Sequence, residues 1–209
     1  MKILLVDDHA VVREGIKRIF DERPGEAIFG EAASAQEALK LIREKLWDVV
    51  VLDISLGGGN GLEILQEMKK IHPRLPVLIL SMHSEEQYAR RAFKEGASGY
   101  ITKGSSRTEI VNAINKVIVG RKYVSPVFAE KLVADIARGI EGAPHAILSD
   151  REFEVMHMIG SGKTVSEIAE LLSLSDRTIS TYRARILEKM KMKTNAELIR
   201  YVIENKLID

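Results

Sequence analysis

Short apolar runs alternate with segments of helical period through the first half of the chain. The runs are bounded by polar residues and built largely from Val, Ile and Leu, which is typical of strands buried on both faces of a parallel sheet. Four of them end at a reactive side chain. They cover residues 3–6, 49–52, 77–80 and 100–102, and the residues that follow them are Asp7, Asp53, Ser81 and Lys103.

Five strands and five helices account for residues 1–120. Ser34, with Glu37 three residues later, has the spacing of a capping box and marks the start of the second helix. The alternation predicts an α/β, doubly wound, flavodoxin-like fold with a five-stranded parallel sheet. The predicted strands lie at about 2–7, 27–32, 48–53, 76–81 and 98–102, and the predicted helices at about 10–22, 35–46, 61–72, 84–95 and 106–119.

The pattern changes after residue 120. Ser125 and Pro126 begin a further predicted helix that runs to about residue 138, and the glycines and proline of 139–144 then indicate a flexible segment. The sequence therefore predicts a helical linker at 121–147 between a domain at 1–120 and a second domain at 148–209.

The second domain has no strand pattern and is predicted to be all-α with four helices. The second and third of these have the order and spacing of a helix-turn-helix. The predicted helices lie at about 150–160, 164–172, 175–190 and 195–205.

The ends of the predicted strands bring acidic side chains together. Parallel sheets of this type bind ligands at the carboxyl ends of their strands, so Asp7, Asp8 and Asp53 are expected to lie close to one another. Their mutual repulsion would protonate one of them unless a cation neutralised the group. The sequence therefore predicts a divalent ion such as Mg²⁺ at this edge of the sheet.

Composition narrows the class of protein. The chain has 209 residues, no cysteine and a net charge of +1, so disulfides and thiolate sites are excluded. No apolar stretch approaches the roughly 20 residues that span a bilayer, and the N-terminus does not have the layout of a signal peptide. We expect a cytoplasmic protein that does not associate with a membrane.

The basic residues are unevenly distributed. Residues 177–193 contain Arg177, Arg183, Arg185, Lys189, Lys191 and Lys193 against a single acid, Glu188. A local basic helix in an otherwise neutral chain indicates a nucleic-acid partner.

Two sets of residues resemble those of a known family. The first consists of Asp7, Asp8, Asp53, Ser81, Tyr100 and Lys103, and the second runs from 148–152 through 167–169 to Ser175, Thr178, Ile179, Lys189 and Met190. With them, residues 1–120 resemble a two-component receiver domain and residues 148–205 resemble the LuxR-type helix-turn-helix of NarL/FixJ response regulators. The resemblance implies a phosphorylation-dependent, DNA-binding transcriptional regulator that is not an enzyme.

The resemblance also implies how phosphorylation occurs. Asp53 is expected to accept a phosphoryl group from the phosphohistidine of a sensor histidine kinase. Asp8 and Asp53 are expected to ligate Mg²⁺, with Asp7 close by or bound through water and the main-chain carbonyl of Ser55 as a further ligand. Lys103 is expected to offset the charge on the transferred phosphoryl oxygens.

Two further residues are implied to respond to the phosphoryl group. Ser81 is expected to donate a hydrogen bond to a phosphoryl oxygen, and Tyr100 to change rotamer as the Ser81 loop moves inward. His83, two residues past Ser81, is expected to tune the lifetime of the phosphate. We expect the other histidines, His9, His72, His145 and His157, to be structural or surface residues because they lack the spacing of metal ligands.

In the second domain, Ser175 is expected to cap the recognition helix and either Thr164 or Ser166 to begin the helix before it. One face of the recognition helix is expected to contact phosphates and base edges. Its residues are Arg177, Ser180, Thr181, Arg183, Ala184, Arg185 and Lys189. Family members often carry Lys where this chain has Ser180 and Ala184, so the recognised sequence does not carry over.

The resemblance implies a homodimer on an inverted-repeat site, formed when the protein is phosphorylated or bound to DNA. The last predicted helix carries more apolar residues than a small helical core needs, and part of it is a candidate two-fold interface. These residues are Leu198, Ile199, Val202 and Ile203.

Other functions fit parts of the sequence. A phosphatase of the haloacid-dehalogenase type uses an aspartyl nucleophile, but it places an Asp-x-Asp pair after strand 1, where this chain has Asp7 and Asp8 side by side. A regulator that senses a small molecule would share the DNA-binding half, but a filled sheet core leaves little room for a pocket. The glycine-rich segment 57–61 does not follow strand 1, where a dinucleotide-binding fingerprint belongs, and is better read as a flexible turn.

Overall fold

A computed structural model describes residues 1–20, 27–56, 61–83, 85–137, 144–205 and 207–208. The chain forms two compact units, Met1–Glu130 and Lys131–Asp209. The division falls inside the segment predicted as the linker, and residues 121–130 belong to the first unit.

The first unit contains a five-stranded parallel sheet in the order β2-β1-β3-β4-β5. Helices alternate with the strands, which confirms the predicted doubly wound fold. The strands are β1 (Lys2–Val6), β2 (Ile28–Ala32), β3 (Val49–Asp53), β4 (Val77–Ser81) and β5 (Gly99–Thr102), and the helices are α1 (Ala10–Phe20), α2 (Ala35–Glu44), α3 (Gly61–Ile71), α4 (Glu85–Lys94) and α5 (Arg107–Ile118). The predicted end of α1 at residue 22 lies outside the described residues.

The central strands are buried along their length. Every residue of β3 and β4 is buried, as expected for parallel strands covered by helices on both faces. In the register of these strands, Asp53 lies opposite Leu80, and Ser81 lies opposite Thr102 on β5. The polar ends of β3, β4 and β5 therefore lie at the same edge of the sheet.

The start of α3 packs closely behind the end of β3. The main-chain nitrogen of Gly61 donates a hydrogen bond to the carbonyl oxygen of Ile54 at 2.9 Å. A Cβ atom at Gly61 would lie 2.3 Å from the Cα atom of Ile54, so a larger residue would push α3 away from Asp53. The predicted turn at 57–61 lies outside the described residues except for Gly61.

Residues 121–125 extend the first unit along the edge strand β5. Tyr123 forms a parallel bridge with Gly99, and its main-chain nitrogen donates to the carbonyl oxygen of Ser98 at 3.1 Å. A Cβ atom at Gly99 would lie 3.1 Å from the Cβ atom of Tyr123, so glycine permits this close approach. Helix α6 (Pro126–Ala137) follows and crosses the division between the units.

After the end of α6, the described residues of the second unit form a short 3₁₀ helix (Pro144–Ile147) and four further α-helices, as predicted. These are α7 (Asp150–Gly160), α8 (Val165–Leu171), α9 (Asp176–Lys189) and α10 (Asn195–Glu204). Phe153, Ile168, Ile179 and Ile186 are fully or almost fully buried and form part of the core.

Helix α10 contributes to this core as well as to the surface. Leu198 and Val202 are fully buried, and a Cβ atom at Gly160 would lie 2.5 Å from a methyl carbon of Val202. Ile203 is exposed and Ile199 is half-buried. Of the four apolar residues proposed for a two-fold interface, only Ile199 and Ile203 are therefore accessible on the surface of α10.

Candidate functional site

An acidic pocket lies at the carboxyl ends of β1 and β3. Asp7 and Asp53 are buried, whereas Asp8 is more exposed. Carboxylate oxygens of these three residues and one ring nitrogen of His9 all lie within 4.8 Å of one another. The structure thus brings together the three acids that the strand pattern selected.

Lys103 bridges the two buried acids of the pocket. Its Nζ lies 2.8 Å from Asp7 Oδ2 and 2.9 Å from Asp53 Oδ2, and its side chain is 10% exposed. Burial lowers the pKa of Lys103, but its hydrogen bonds to Asp7 and Asp53 outweigh that effect and leave the pKa raised. Lys103 therefore stays an ammonium group and offsets part of the negative charge.

Asp53 is held on both of its carboxylate oxygens. The main-chain nitrogen of Ser55 donates to Oδ1 at 3.0 Å, and Lys103 donates to Oδ2. The carboxylate is 1% exposed and is oriented toward the pocket by these two donors. The position of the Ser55 carbonyl as a metal ligand stays a prediction.

His9 is exposed and borders the pocket, and its expected role as a structural or surface residue stays a prediction. Its main-chain nitrogen donates to Asp7 Oδ1 at 2.8 Å, and its Nδ1 lies 2.8 Å from Asp8 Oδ1. The signal available in the sequence was its position directly after Asp8, in a loop that turns at the end of β1. Because Mg²⁺ favours oxygen ligands, His9 is a neighbour of the carboxylates rather than a favoured ligand.

Arg13 on α1 supports the same loop from outside the pocket. Its Nη1 donates to the main-chain oxygen of Asp7 at 2.6 Å, and its Nε donates to Glu31 Oε2 on β2 at 2.8 Å. Sequence reasoning missed this residue because one acceptor lies in the loop after β1 and the other lies on β2.

Ser81 and Tyr100 meet at the main chain of His83. Ser81 Oγ accepts a hydrogen bond from the nitrogen of His83 at 3.0 Å, and the Tyr100 hydroxyl donates to its carbonyl oxygen at 3.0 Å. Tyr100 is 0% exposed. Burial raises the pKa of Tyr100, and the charges of Glu85 and Asp53 raise it further. A hydrogen bond with Ser81 lowers the pKa by less than these effects raise it, so the phenol stays neutral.

The His83 ring stacks on the ring of Tyr88, with centroids 4.6 Å apart. This contact fixes the ring against α4. The expected influence of His83 on the lifetime of a phosphate stays a prediction.

The donor set of the pocket suits a hard cation. It offers carboxylate oxygens from Asp7, Asp8 and Asp53, which are the ligands that Mg²⁺ prefers in proteins. With Lys103 as the compensating cation, three carboxylates leave a net negative charge that a divalent ion would neutralise.

The second candidate site is the exposed face of α9. Ser175 Oγ accepts from the nitrogen of Thr178 at 3.2 Å and caps this helix. Thr164, and not Ser166, caps α8, because its hydroxyl and Glu167 form a capping box. Ser166 Oγ instead donates to Asp176 Oδ2 at 2.6 Å and so joins α8 to the start of α9.

The predicted DNA-contacting residues differ in exposure and in their internal contacts. Thr181 Oγ1 donates to the main-chain oxygen of Arg177 at 2.9 Å. The Nε of Arg183 is buried and makes no hydrogen bond among the described residues. Arg177, Thr181, Ala184 and Arg185 are exposed, whereas Ser180 and Arg183 are half-buried.

Lys189 has a partner inside its own unit. Its Nζ lies 2.7 Å from Oε2 of Glu152 on α7, and Glu152 is 3% exposed. Burial raises the pKa of Glu152, but the hydrogen bonds from Lys189 and Ser149 outweigh that effect and lower it. A DNA contact by Lys189 stays a prediction. Such a contact would compete with this ion pair.

Comparisons with known proteins cover both units. Residues 3–115 match the family model of the response regulator receiver domain, and residues 146–202 match that of bacterial regulatory proteins of the luxR family. Within the described residues, no helix is both long and apolar enough to cross a membrane.

Relatives match along almost the whole chain. The response regulator GacA of Pseudomonas syringae pv. syringae (strain B728a) is 36% identical over 100% of this chain and 98% of its own length. The response regulator UvrY of Escherichia coli (strain K12) is 35% identical over 99% of this chain and 95% of its own length.

A solved structure shares the fold. The structure of RcsB from Salmonella enterica serovar Typhimurium, bound to promoter rprA in the presence of phosphomimetic BeF3-, has a TM-score of 0.66 and covers 96% of this chain and 97% of that one. At 22% sequence identity this likeness shows the fold alone.

Proposed function

The chain belongs to the NarL/FixJ family of response regulators, and we propose that it is switched by phosphorylation of Asp53. It is a transcriptional regulator of a two-component system, with a receiver domain and a LuxR-type DNA-binding domain. The observation that carries the proposal is the buried Asp53 carboxylate held by Ser55 and Lys103 at the centre of the acidic pocket.

In the proposed reaction, a carboxylate oxygen of Asp53 attacks the phosphorus of a phosphohistidine on the sensor kinase. The new O–P bond forms as the P–N bond breaks, and the departing imidazole takes up a proton. Lys103 offsets the charge on the phosphoryl oxygens during the transfer. Ser81 then donates a hydrogen bond from its hydroxyl to one of those oxygens.

Asp8 and Asp53 would hold Mg²⁺, with Asp7 as a direct or water-bridged ligand and the Ser55 carbonyl as another. When bound, the ion neutralises the carboxylates and the phosphoryl oxygens. The three-carboxylate donor set supports this assignment.

The test of the phosphoacceptor uses a small phosphodonor such as acetyl phosphate with Mg²⁺, followed by intact mass. We expect a gain of one phosphoryl group in the wild type, no gain in Asp53→Asn, and a slower gain in Asp8→Asn because metal binding is weakened. The modification should be base-labile, as an acyl phosphate is. A gain that survives Asp53→Asn would contradict the assignment.

For the second unit, we propose that α9 lies in the major groove of duplex DNA. Arg177, Arg183 and Arg185 would reach phosphates, while Ser180, Thr181 and Ala184 would approach base edges. The exposed positions of Arg177 and Arg185 on this helix support the role. We also propose a homodimer on an inverted-repeat site in the cytoplasm, where a sensor kinase domain and DNA are both available.

A further inference from the structure

The start of α6 is attached to the strand that carries the switch tyrosine. The main-chain nitrogen of Tyr100 donates to the carbonyl oxygen of Tyr123 at 3.0 Å, two residues before Ser125. The backbone of β5 therefore positions the segment from which α6 begins.

A carboxylate at the start of α4 holds the same segment. Glu85 Oε1 accepts a hydrogen bond from the main-chain nitrogen of Ser125 at 2.8 Å, and Glu85 Oε2 accepts one from the Ser125 hydroxyl. Ser125 Oγ in turn accepts from the nitrogen of Phe128 at 3.2 Å and so caps α6. We call the paired contacts between Glu85 and Ser125 the Glu85–Ser125 clamp.

The clamp lies close to the residues that respond at the phosphoacceptor site. Glu85 follows Ser81 by four positions and is the first residue of α4. His83 lies between these two residues in the chain. Its main-chain nitrogen donates to Ser81 Oγ, and its main-chain oxygen accepts a hydrogen bond from the Tyr100 hydroxyl. A movement of Ser81 toward a phosphoryl oxygen would therefore displace the start of α4.

We propose that the Glu85–Ser125 clamp transmits the state of Ser81 and Tyr100 to helix α6, with Glu85 as the positioning residue. The inference rests on the proposed phosphorylation of Asp53 and names the path by which it would reach the rest of the chain. Both hydrogen bonds of the clamp end on one charged carboxylate and are therefore strong. When α4 moves, either Ser125 moves with it or both hydrogen bonds break together. Because α6 crosses the division between the two units, either outcome changes the helix that joins them.

The test compares the DNA affinity of the full chain with and without phosphorylation. The probe is a duplex selected from a random library by the full-length protein treated with acetyl phosphate and Mg²⁺. In the wild type we expect phosphorylation to change affinity by about fivefold or more, which is the lower end of ordinary coupling between sites. In Glu85→Ala and Ser125→Asp, the affinities of the phosphorylated and unphosphorylated chains should differ by less than about twofold. The mass gain on Asp53 should still be complete in both variants.

The variants separate the clamp from the helix cap. Ser125→Asp keeps a good N-cap for α6 but replaces the hydroxyl donor by a carboxylate that repels Glu85. Ser125→Thr keeps both the cap and the donor and should retain the wild-type ratio. Ser106→Ala removes a comparable cap from α5 without touching Glu85, and it controls for a general loss of helix stability.

A second measurement follows the clamp itself. Amide hydrogen exchange of Ser125 and Phe128 should change on phosphorylation of the wild type and of Ser125→Thr. It should be faster at Ser125 in Glu85→Ala and no longer respond to phosphorylation.

The outcomes distinguish the inference from the proposed function. A wild-type affinity ratio of one would overturn phosphorylation control itself. A normal wild-type ratio that persists in Glu85→Ala and Ser125→Asp, with amide exchange still responding, would overturn the clamp alone.

Discussion

Among single residues, the charge balance of the acidic pocket has the clearest consequences. Lys103 compensates Asp7 and Asp53, whose side chains are 4% and 0% exposed, whereas Asp8 is 34% exposed and lies beside His9. Asp8 therefore adds a third carboxylate close to the two buried ones. This arrangement favours cation binding at the expense of stability when the cation is absent.

We expect Asp8→Asn to raise the stability of the chain in the absence of Mg²⁺. Removing one of three close carboxylates relieves repulsion of about 1 kcal/mol in a partly solvated site. The same change should reduce the stabilisation that Mg²⁺ provides, since a ligand that binds the folded state stabilises it by an amount that grows with the logarithm of its affinity. Thermal unfolding with and without Mg²⁺ measures both effects.

Glu130→Gln, which removes an exposed carboxylate elsewhere, serves as the control for Asp8→Asn. It should leave the response to Mg²⁺ unchanged. Equal Mg²⁺ stabilisation of the wild type and Asp8→Asn would remove Asp8 from the proposed ligand set.

The sequence predicted the acids of this pocket and Lys103, but not Arg13 or the Glu85–Ser125 clamp. Asp7 and Asp53 could be placed because each directly follows a buried strand, and parallel strands align their ends. Arg13 and the Glu85–Ser125 clamp depend on contacts between residues 6 to 40 positions apart in the chain. Such contacts depend on loop paths and rotamers, which apolar periodicity does not encode.

Among the elements, the ends of helices differ most from the sequence prediction. Helix α2 was expected to reach residue 46, but Lys45 takes an extended backbone with φ −139° and ends it. The indole of Trp47 then donates to the carbonyl oxygen of Leu41 at 3.1 Å and satisfies part of the helix end. The helical spacing of apolar residues continues to Trp47 although the helix has ended, because the Trp47 side chain still contacts the last turn of α2.

The ion pair between Lys189 and Glu152 should stabilise the contact of α9 with α7. Lys189→Met leaves the buried carboxylate without its cation, and we expect a loss of about 1–3 kcal/mol in the free energy of unfolding. Lys193→Met removes an exposed charge nearby and should have little effect. Amide hydrogen exchange in α7 and α9 of the full chain measures the difference, and equal protection in the two variants would contradict the prediction.

The ion pair between Lys189 and Glu152 also makes the stability of the second unit depend on pH. The pKa of Glu152 is lowered in the folded chain from its ordinary value of 4.5, so its contribution is fully present above that pH and is lost as pH falls through the lowered value. Lys189→Met should therefore reduce the difference in α7 exchange between neutral and acid solution.

The exposed face of α9 should contribute to DNA affinity through phosphate contacts. Arg185→Ala should weaken binding to all sequences similarly and reduce the slope of log affinity against log salt by about one. Ser180→Ala, on the same face, should leave the slope unchanged and alter sequence preference. Lys189→Met tests the remaining predicted contact, since an unchanged slope would assign Lys189 to the ion pair alone.

For the whole molecule, the two-domain organisation was predictable because the apolar period changes from alternating strands and helices to helices alone. The division itself lies after Glu130, inside the predicted linker. Residues 121–125 lack a strand pattern, yet Tyr123 pairs with β5 because Gly99 leaves room for its backbone. The first unit therefore includes the start of α6.

The proposed dimer should depend on the exposed apolar residues of α10. Ile203 is 57% exposed, whereas Val202 is fully buried and would report unfolding instead. In a two-fold interface a single substitution appears twice, so Ile203→Glu places two like charges near each other and should abolish dimers on DNA. We expect an affinity loss of about tenfold or more, equivalent to about 1.4 kcal/mol, with phosphorylation of Asp53 unchanged.

Ile147→Glu is the matched control, because Ile147 is 59% exposed and lies in the 3₁₀ helix rather than in α10. It changes the charge of the same unit by the same amount and should leave the dimer intact. Sedimentation of the phosphorylated chain with a selected inverted-repeat duplex, and with a duplex carrying one half-site, gives the stoichiometry. If the wild type binds each half-site as a monomer, and Ile203→Glu and Ile147→Glu bind equally well, then α10 does not form the interface and the two-fold arrangement proposed for this chain is wrong.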